Sequence, residues 1–133
     1  MAYSESQPTV SLIAETTFAK TDLHKFVELT TAVRVQLPGS TSLERLVGTL
    51  LSQTYSTSTG ANETVTVGLL QGIGQVYMAG STAEAGDLCT ASTNGFGIES
   101  STNMRTLGII VDGSGSSSTG RIYSVLYTDD PNL

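Results

Sequence analysis

The side chains that most often carry out enzymatic chemistry are rare in this sequence of 133 residues, which holds one histidine and one cysteine. His24 lies in the run Asp-Leu-His-Lys, which matches no catalytic motif, although a Ser–His–Asp or Cys–His site would need this histidine. Cys89 follows Leu88, and we expect a buried, inert thiol there rather than a nucleophile. Paired carboxylates for glycoside chemistry are not marked by any pattern. The sequence therefore predicts that the protein is not an enzyme.

Metal and phosphate sites are also not predicted. A single cysteine and a single histidine could hold zinc only with several carboxylates, and no such cluster is visible in the sequence. The run Gly68 to Gly74 is rich in glycine but lacks the Lys-Ser/Thr of a phosphate loop. Asp112 to Ser116 lacks the spaced carboxylates of a calcium loop. We expect no cofactor and no bound metal.

The charges exclude two further classes of partner. The formal net charge is −6, and the basic residues are scattered: Lys20, Lys25, Arg34, Arg45, Arg105 and Arg121. Without a basic stripe, direct binding to nucleic acid or to an anionic membrane is not expected. The first residues have neither the basic nor the apolar region of a signal peptide, and no apolar run reaches transmembrane length. We expect synthesis in a cytoplasm and a soluble product.

The composition predicts an all-β fold, because Thr, Val and Tyr favour strands and the 14 glycines favour the turns between them. Alternation of apolar and polar residues, or a short apolar run, predicts a series of strands: Phe26–Thr30, Val33–Leu37, Thr64–Leu70, Ile73–Met78, Gly86–Thr90, Phe96–Ile98, Leu107–Val111 and Arg121–Thr128. Asn94-Gly95 is the strongest hairpin signal in the chain. The predicted architecture is a small antiparallel β-barrel that occupies residues 16–133 as a single domain.

Two segments leave more room for interpretation. Ser42–Leu51 fits either a helix, with Thr41 and Glu44 at capping-box spacing, or a buried strand over Leu46–Leu51. Residues 1–15 are predicted to form an extended N-terminal arm, because the first of them are polar and include Pro8. Within the arm, four apolar side chains could pair with the sheet edge of a capsid protein or a neighbouring subunit: Tyr3, Val10, Leu12 and Ile13.

An internal repeat favours the strand over the helix. The run Arg45-Leu-Val-Gly48, with a following loop that ends at Gly60, resembles Arg105-Thr-Leu-Gly108, whose loop ends at Gly120. Without a gap, the alignment continues to Val65 and Val125. It predicts two similar β-units about a pseudo-twofold axis. Because Leu107–Val111 looks like a strand, its counterpart Leu46–Leu51 should be one also.

From about Asp22 to Tyr127 the chain resembles the small β-barrel decoration, or cement, proteins of tailed-phage heads. The resemblance is carried by short glycine-based motifs in a common order: Val-Gly48-Thr-Leu-Leu, Thr-Val-Thr-Val67, Gly72-x-Gly74-x-Val76-x-x-Ala-Gly80, Ala-Gly86-Asp87-Leu, Asn94-Gly95, Leu-Gly108-Ile-Ile and Val125-Leu-Tyr. The sequence departs from commoner members in a longer loop at Tyr55–Asn62 and a serine-rich loop at Ser114–Thr119.

This resemblance implies a non-enzymatic protein on the outer capsid surface of a bacteriophage virion. Such a protein binds the lattice of the major capsid protein, stabilises the head and is often a homo-oligomer, with a trimer favoured. Tyr55 joins the arm residues as a candidate contact with the capsid or a subunit. The alternative is another virion β-module, such as a head-fibre base, a tail component or an adhesin. A third class is a small enzyme or a ligand-binding barrel.

Overall fold

The computed structural model describes residues 7–39, 45–56, 58–79, 83–100, 105–112 and 121–130, and these are all-β apart from a short 3-10 helix at Lys20–Asp22. The strands of the first half are β1 (Thr9–Ala14), β2 (Phe26–Leu29), β3 (Arg34–Gln36), β4 (Leu46–Leu50) and β5 (Thr64–Leu69). Those of the second half are β6 (Ile73–Met78), β7 (Leu88–Ala91), β8 (Gly97–Glu99), β9 (Thr106–Asp112) and β10 (Arg121–Asp130).

The strands close into two barrels that have the same topology. The order around the first barrel is β1-β3-β2-β4-β5, and the order around the second is β6-β8-β7-β9-β10. Each barrel has one parallel pair, β1 with β3 and β6 with β8, among antiparallel neighbours. The second half of the chain therefore repeats the first half strand by strand.

Matching ladders place residues of the two barrels in correspondence. Gly48 pairs with Leu69 between β4 and β5, just as Gly108 pairs with Tyr127 between β9 and β10. The same comparison of the other ladders gives these corresponding pairs: Thr9 and Ile73, Val10 and Gly74, Leu12 and Val76, Ile13 and Tyr77, Phe26 and Leu88, Val35 and Gly97, Thr49 and Ile109, Thr64 and Ile122, Val67 and Val125, Gly68 and Leu126.

The correspondence extends into the turns. The backbone φ is positive at His24 (69°) and at Gly86 (98°), which both precede the first strand of a hairpin, and at Val33 (61°) and Gly95 (84°), which both lie in the hairpin turn. Three main-chain hydrogen bonds of the first barrel have counterparts in the second. The His24 N–H donates to the Leu50 carbonyl as the Gly86 N–H does to that of Ile110, and the Leu50 N–H donates to the Lys25 carbonyl as the Ile110 N–H does to that of Asp87. In the hairpin turns, the Val33 N–H donates to the Thr30 carbonyl as the Gly95 N–H does to that of Ser92.

Gly48 and Gly108 repeat because both barrels bring two strands unusually close at this point. A Cβ on Gly48 would overlap the carbonyl oxygen of Gly68, and a Cβ on Gly108 would overlap that of Leu126, which corresponds to Gly68. The strand over Leu46–Leu50 and the internal duplication are thus confirmed. The gapless alignment is wrong beyond the loop, because Val67 rather than Val65 corresponds to Val125.

Each barrel surrounds its own apolar cluster. The first cluster includes Phe18, Leu50 and Val67, and the second includes Met78, Ile110 and Val125. Successive residues of a strand face opposite sides of the sheet, so Val27 points into the first barrel while Phe26 points outward. Phe26 is nevertheless fully buried, because it belongs to the cluster of the second barrel. The outer face of the first barrel therefore completes the core of the second.

The structure corrects two expectations about organisation. The all-β class is confirmed, but the strands form two small barrels where one was expected. Thr9–Ala14 is also not an arm, since β1 pairs with β5 over five residues and with β3, and thereby closes the first barrel. Tyr3 and Gly120 lie outside the described residues.

Candidate functional site

The candidate reactive residues that the structure describes are His24 and Cys89, and they lie in different surroundings. Within the described ranges, no group of three or more His, Cys, Asp or Glu side chains could hold a metal ion. Cys89 is fully buried in the core of the second barrel, and this burial raises the pKa of its thiol to about 12. The thiol is therefore uncharged near neutral pH and is a poor nucleophile. No helix in the described part of the chain is long and apolar enough to cross a membrane.

His24 lies at the junction of the barrels rather than in a cleft. Its carbonyl accepts a hydrogen bond from the Tyr77 N–H at 2.9 Å, which joins the first barrel to the second. Its Nδ1 atom is buried and has no hydrogen-bond partner among the described residues, and burial lowers the pKa of the imidazole. Because desolvation disfavours the charged ring, the neutral form of the imidazole is favoured at the junction.

The junction is also closed by the Asn94-Gly95 hairpin. The Phe26 N–H donates to the Gly95 carbonyl at 2.7 Å, and a Cβ on Gly95 would lie 2.6 Å from the Phe26 oxygen. The Lys25 ammonium lies 4.6 Å from the centroid of the Phe96 ring, within range of a cation–π interaction. Because Gly95 has no side chain, the two main chains can approach closely at this turn. The Lys25 ammonium above the Phe96 ring lies at the edge of this contact.

A buried polar cluster lies deeper in the junction. The side chain of Gln7 packs against Gly68 of the first barrel and Gly74 of the second, and its amide donates to the Leu69 carbonyl at 2.9 Å. The hydroxyls of Thr49 and Tyr127 are buried without a well-aligned hydrogen bond. Burial raises the pKa of Tyr127, and the nearby Thr49 and Gln7 side chains only partly oppose this effect. The Tyr127 hydroxyl therefore stays neutral, and the cluster fills the space between the two barrels.

Among the large hydrophobic residues that the structure describes, Tyr55 is the most exposed, with 98% of its surface accessible. The loop that carries it is held by Glu63, whose two carboxylate oxygens accept the N–H groups of Tyr55 at 2.6 Å and Ser56 at 3.1 Å. The Thr54 hydroxyl accepts the Phe18 N–H and anchors the loop to the first barrel. An aromatic ring held outward on an ordered loop suits a contact with another protein.

The predicted contact residues of β1 face different ways. Val10 and Leu12 point toward the interior at the rim of the first barrel, where Val10 is 36% exposed and Leu12 is half-buried. Ile13 points outward and is exposed. The end of β1 meets the Tyr55 loop at Glu63, whose carbonyl accepts the Ala14 N–H at 2.8 Å.

A row of apolar side chains lies on the outside of the second barrel and was not predicted from the sequence. Ladder pairing puts four residues side by side across β7, β9, β10 and β6, in the order Leu88, Ile109, Leu126 and Ile73. Leu88 is 43% exposed and Leu126 is 39% exposed, while the other two are half-buried. The outward residues of Ile73–Met78 and Leu107–Val111 could have revealed this row, but a short apolar run does not show which strands are neighbours.

The comparisons with known proteins give a likeness of fold. No family model and no curated protein matches the chain. The crystal structure of the head fibre gp8.5 N base of bacteriophage phi29 superposes on it with a TM-score of 0.53 and 12% sequence identity. The match covers 95% of this chain and 98% of the other, so it extends over both barrels.

Proposed function

We propose that this protein is a structural component of a bacteriophage virion and serves as the base of a head fibre. The observation that supports the proposal is the likeness to the phi29 head fibre base, which extends over nearly the whole length of both chains. This likeness favours a fibre base over the cement protein that the sequence motifs suggested. At 12% identity the fold is what the two chains share, so the role in the virion is the step we propose.

The proposed partner is the major capsid protein on the outer surface of the head, and the proposed role is attachment without catalysis. The Tyr55 loop suits this role because Glu63 holds it in place before any partner arrives. A pre-ordered loop loses little conformational freedom on binding. The second barrel would then be available to carry or position further parts of the fibre.

Copy number and location test this proposal. Virions whose genome encodes the protein should carry it on their outer surface. An antibody against the folded chain should therefore label intact particles. Quantitative mass spectrometry should find far fewer copies than of the major capsid protein. Copies in near-stoichiometric ratio to the capsid lattice would favour a cement protein instead, and absence from purified particles would refute a virion role.

The contribution of Tyr55 is tested by its occupancy on particles. Tyr55→Ala removes the exposed ring and should reduce occupancy by roughly tenfold or more, in line with aromatic hot spots that contribute about 2 kcal/mol. Tyr55→Phe keeps the ring and serves as the matched control. Equal occupancy of all three proteins would exclude the loop from attachment.

A further inference from the structure

We propose that the apolar row on the second barrel binds the first barrel of a second copy of this chain. The row consists of Leu88, Ile109, Leu126 and Ile73 and is called the donor row below. The proposal rests on the duplicated fold and does not depend on the proposed role in a virion.

The first barrel has a row of residues that corresponds to the donor row. Ladder pairing there aligns Phe26, Thr49, Gly68 and Thr9 in the same places. Phe26 and Thr49 are fully buried at the junction with the second barrel, and the side chain of Gln7 covers Gly68. The first barrel therefore uses this outer face to bind its neighbour, whereas the second barrel leaves the same face exposed and makes it more apolar.

The receiving side shows the complementary pattern. Three residues of the second barrel share an apolar cluster with Phe26 and are buried: Val76, Leu107 and Tyr127. Gly74 is buried against Tyr127 and Gln7. In the first barrel the corresponding places hold Val10, which is exposed, and Leu12, Val47 and Leu69, which are only partly buried. Among the described residues, nothing packs over the donor row of the second barrel or fills the apolar rim of the first barrel, which consists of Val10, Leu12, Val47 and Leu69 and is called the receiving rim. The donor row of one copy should therefore fit the receiving rim of another, in the geometry of the junction within the chain.

The charges at the edge of the contact agree with this arrangement. Within the chain, Lys25 lies over the Phe96 ring. The corresponding residues are Asp87 beside the donor row and Arg34 beside the receiving rim. Docking in the same geometry would bring these opposite charges together. At the neighbouring hairpin, the two copies must lie farther apart than the two barrels do within one chain, because Val33 occupies the position of Gly95 and carries a Cβ.

An interface of this kind joins unlike faces, so copies link head to tail. Sedimentation velocity over a concentration series tests it. The wild-type protein should form assemblies larger than one chain. Leu126→Glu, on the donor row, and Val10→Glu, on the receiving rim, should each weaken association by at least tenfold. Circular dichroism and thermal unfolding verify that both variants are folded.

Ile122→Glu is the matched control. Ile122 lies on the same strand and the same outward side as Leu126, and 42% of its surface is exposed. Its corresponding residue, Thr64, is exposed rather than covered by the second barrel. This substitution should leave association unchanged, and a loss as large as that of Leu126→Glu would overturn the proposed location of the interface.

Mixing the two weakened variants tests the head-to-tail geometry. A Leu126→Glu copy keeps its receiving rim and a Val10→Glu copy keeps its donor row, so an equimolar mixture should form a one-to-one dimer that neither variant forms alone. The double charge exchange Arg34→Asp with Asp87→Arg should associate better than either single exchange. A wild-type protein that stays a monomer at all concentrations, or a mixture that stays monomeric, would overturn the proposal and leave the row for a different protein, such as the capsid.

Discussion

Single residues show most directly why the two halves of the chain must resemble each other. Gly48 and Gly108 occupy the same place in their barrels, and each allows close approach to the carbonyl of a facing strand. The sequence revealed these glycines as a repeat because the constraint acts on the residue type itself. It did not reveal Phe26 as a junction residue, because an outward side chain on an alternating strand looks the same whether water or a second barrel covers it.

We expect Gly48→Ala and Gly108→Ala to destabilise the protein to a similar extent, because each added methyl group would meet main-chain atoms that cannot move aside. Overpacking of this kind costs about 1–3 kcal/mol, and more where backbone must shift. Chemical denaturation would measure the change. Gly39→Ala is the control, since a Cβ there meets nothing within 4 Å. Equal stability of all three variants would contradict the proposed close approach.

Val33 and Gly95 allow a reciprocal test. Val33 has a φ of 61° and is 63% exposed, so its branched side chain is strained without gaining burial. Val33→Gly should stabilise the protein by up to about 1 kcal/mol, since a left-handed conformation costs a side-chain-bearing residue roughly 1–2 kcal/mol. Gly95→Val should have the opposite sign, because its Cβ would lie 2.6 Å from the Phe26 oxygen. Thermal unfolding of both variants checks the two signs.

His24 should make stability depend on pH. Burial lowers its pKa below 6.5 in the folded state, so the unfolded chain binds the proton more readily. The contribution is complete above the unfolded pKa and declines as the pH falls from there through the folded value. His24→Asn cannot titrate and tolerates positive φ. Between about pH 7 and pH 5.5, the variant should lose less stability in denaturant titrations than the wild type does. Identical pH profiles would show that the imidazole is not desolvated.

At the scale of elements, most of the strands could be predicted from local sequence patterns, whereas the barrels depend on long-range pairing between strands. Ile73–Met78 was predicted with its observed bounds, because alternation and flanking glycines mark it locally. Thr9–Ala14 was assigned to an arm because its partners, β5 and β3, lie far along the chain. The second barrel was not predicted for the same reason, because the closure of a barrel depends on which distant strands pair.

The role of β1 can be tested by truncation. A chain without residues 2–14 should lose the first barrel, because β3 and β5 would both be left with an unpaired edge. We expect a large drop in melting temperature and rapid hydrogen exchange in β3 and β5. A chain without residues 2–6 keeps every described strand and is the control. A longer truncation that melts like its control would restore the interpretation of this segment as a dispensable arm.

At the scale of the whole molecule, the two barrels share one core boundary, and we expect them to unfold together. Phe26 and Val27 are adjacent and both fully buried, yet Phe26 belongs to the cluster of the second barrel and Val27 to that of the first. The loss of either barrel would expose a face of the other. In calorimetry, the wild-type protein should therefore show a single transition whose van't Hoff and calorimetric enthalpies agree.

Phe26→Ala should break this coupling. The substitution leaves a cavity in the second barrel, at a cost of about 3–5 kcal/mol for a buried phenylalanine, and it removes the side chain that links the barrels. Val27→Ala also creates a cavity but leaves the junction intact, so it should lower the melting temperature while preserving one transition. The Phe26 variant should instead show two transitions, or hydrogen exchange that is faster in β6 to β10 than in β1 to β5. Two transitions already present in the wild-type protein would mean that the barrels are independent, because a shared boundary cannot separate without exposing Phe26.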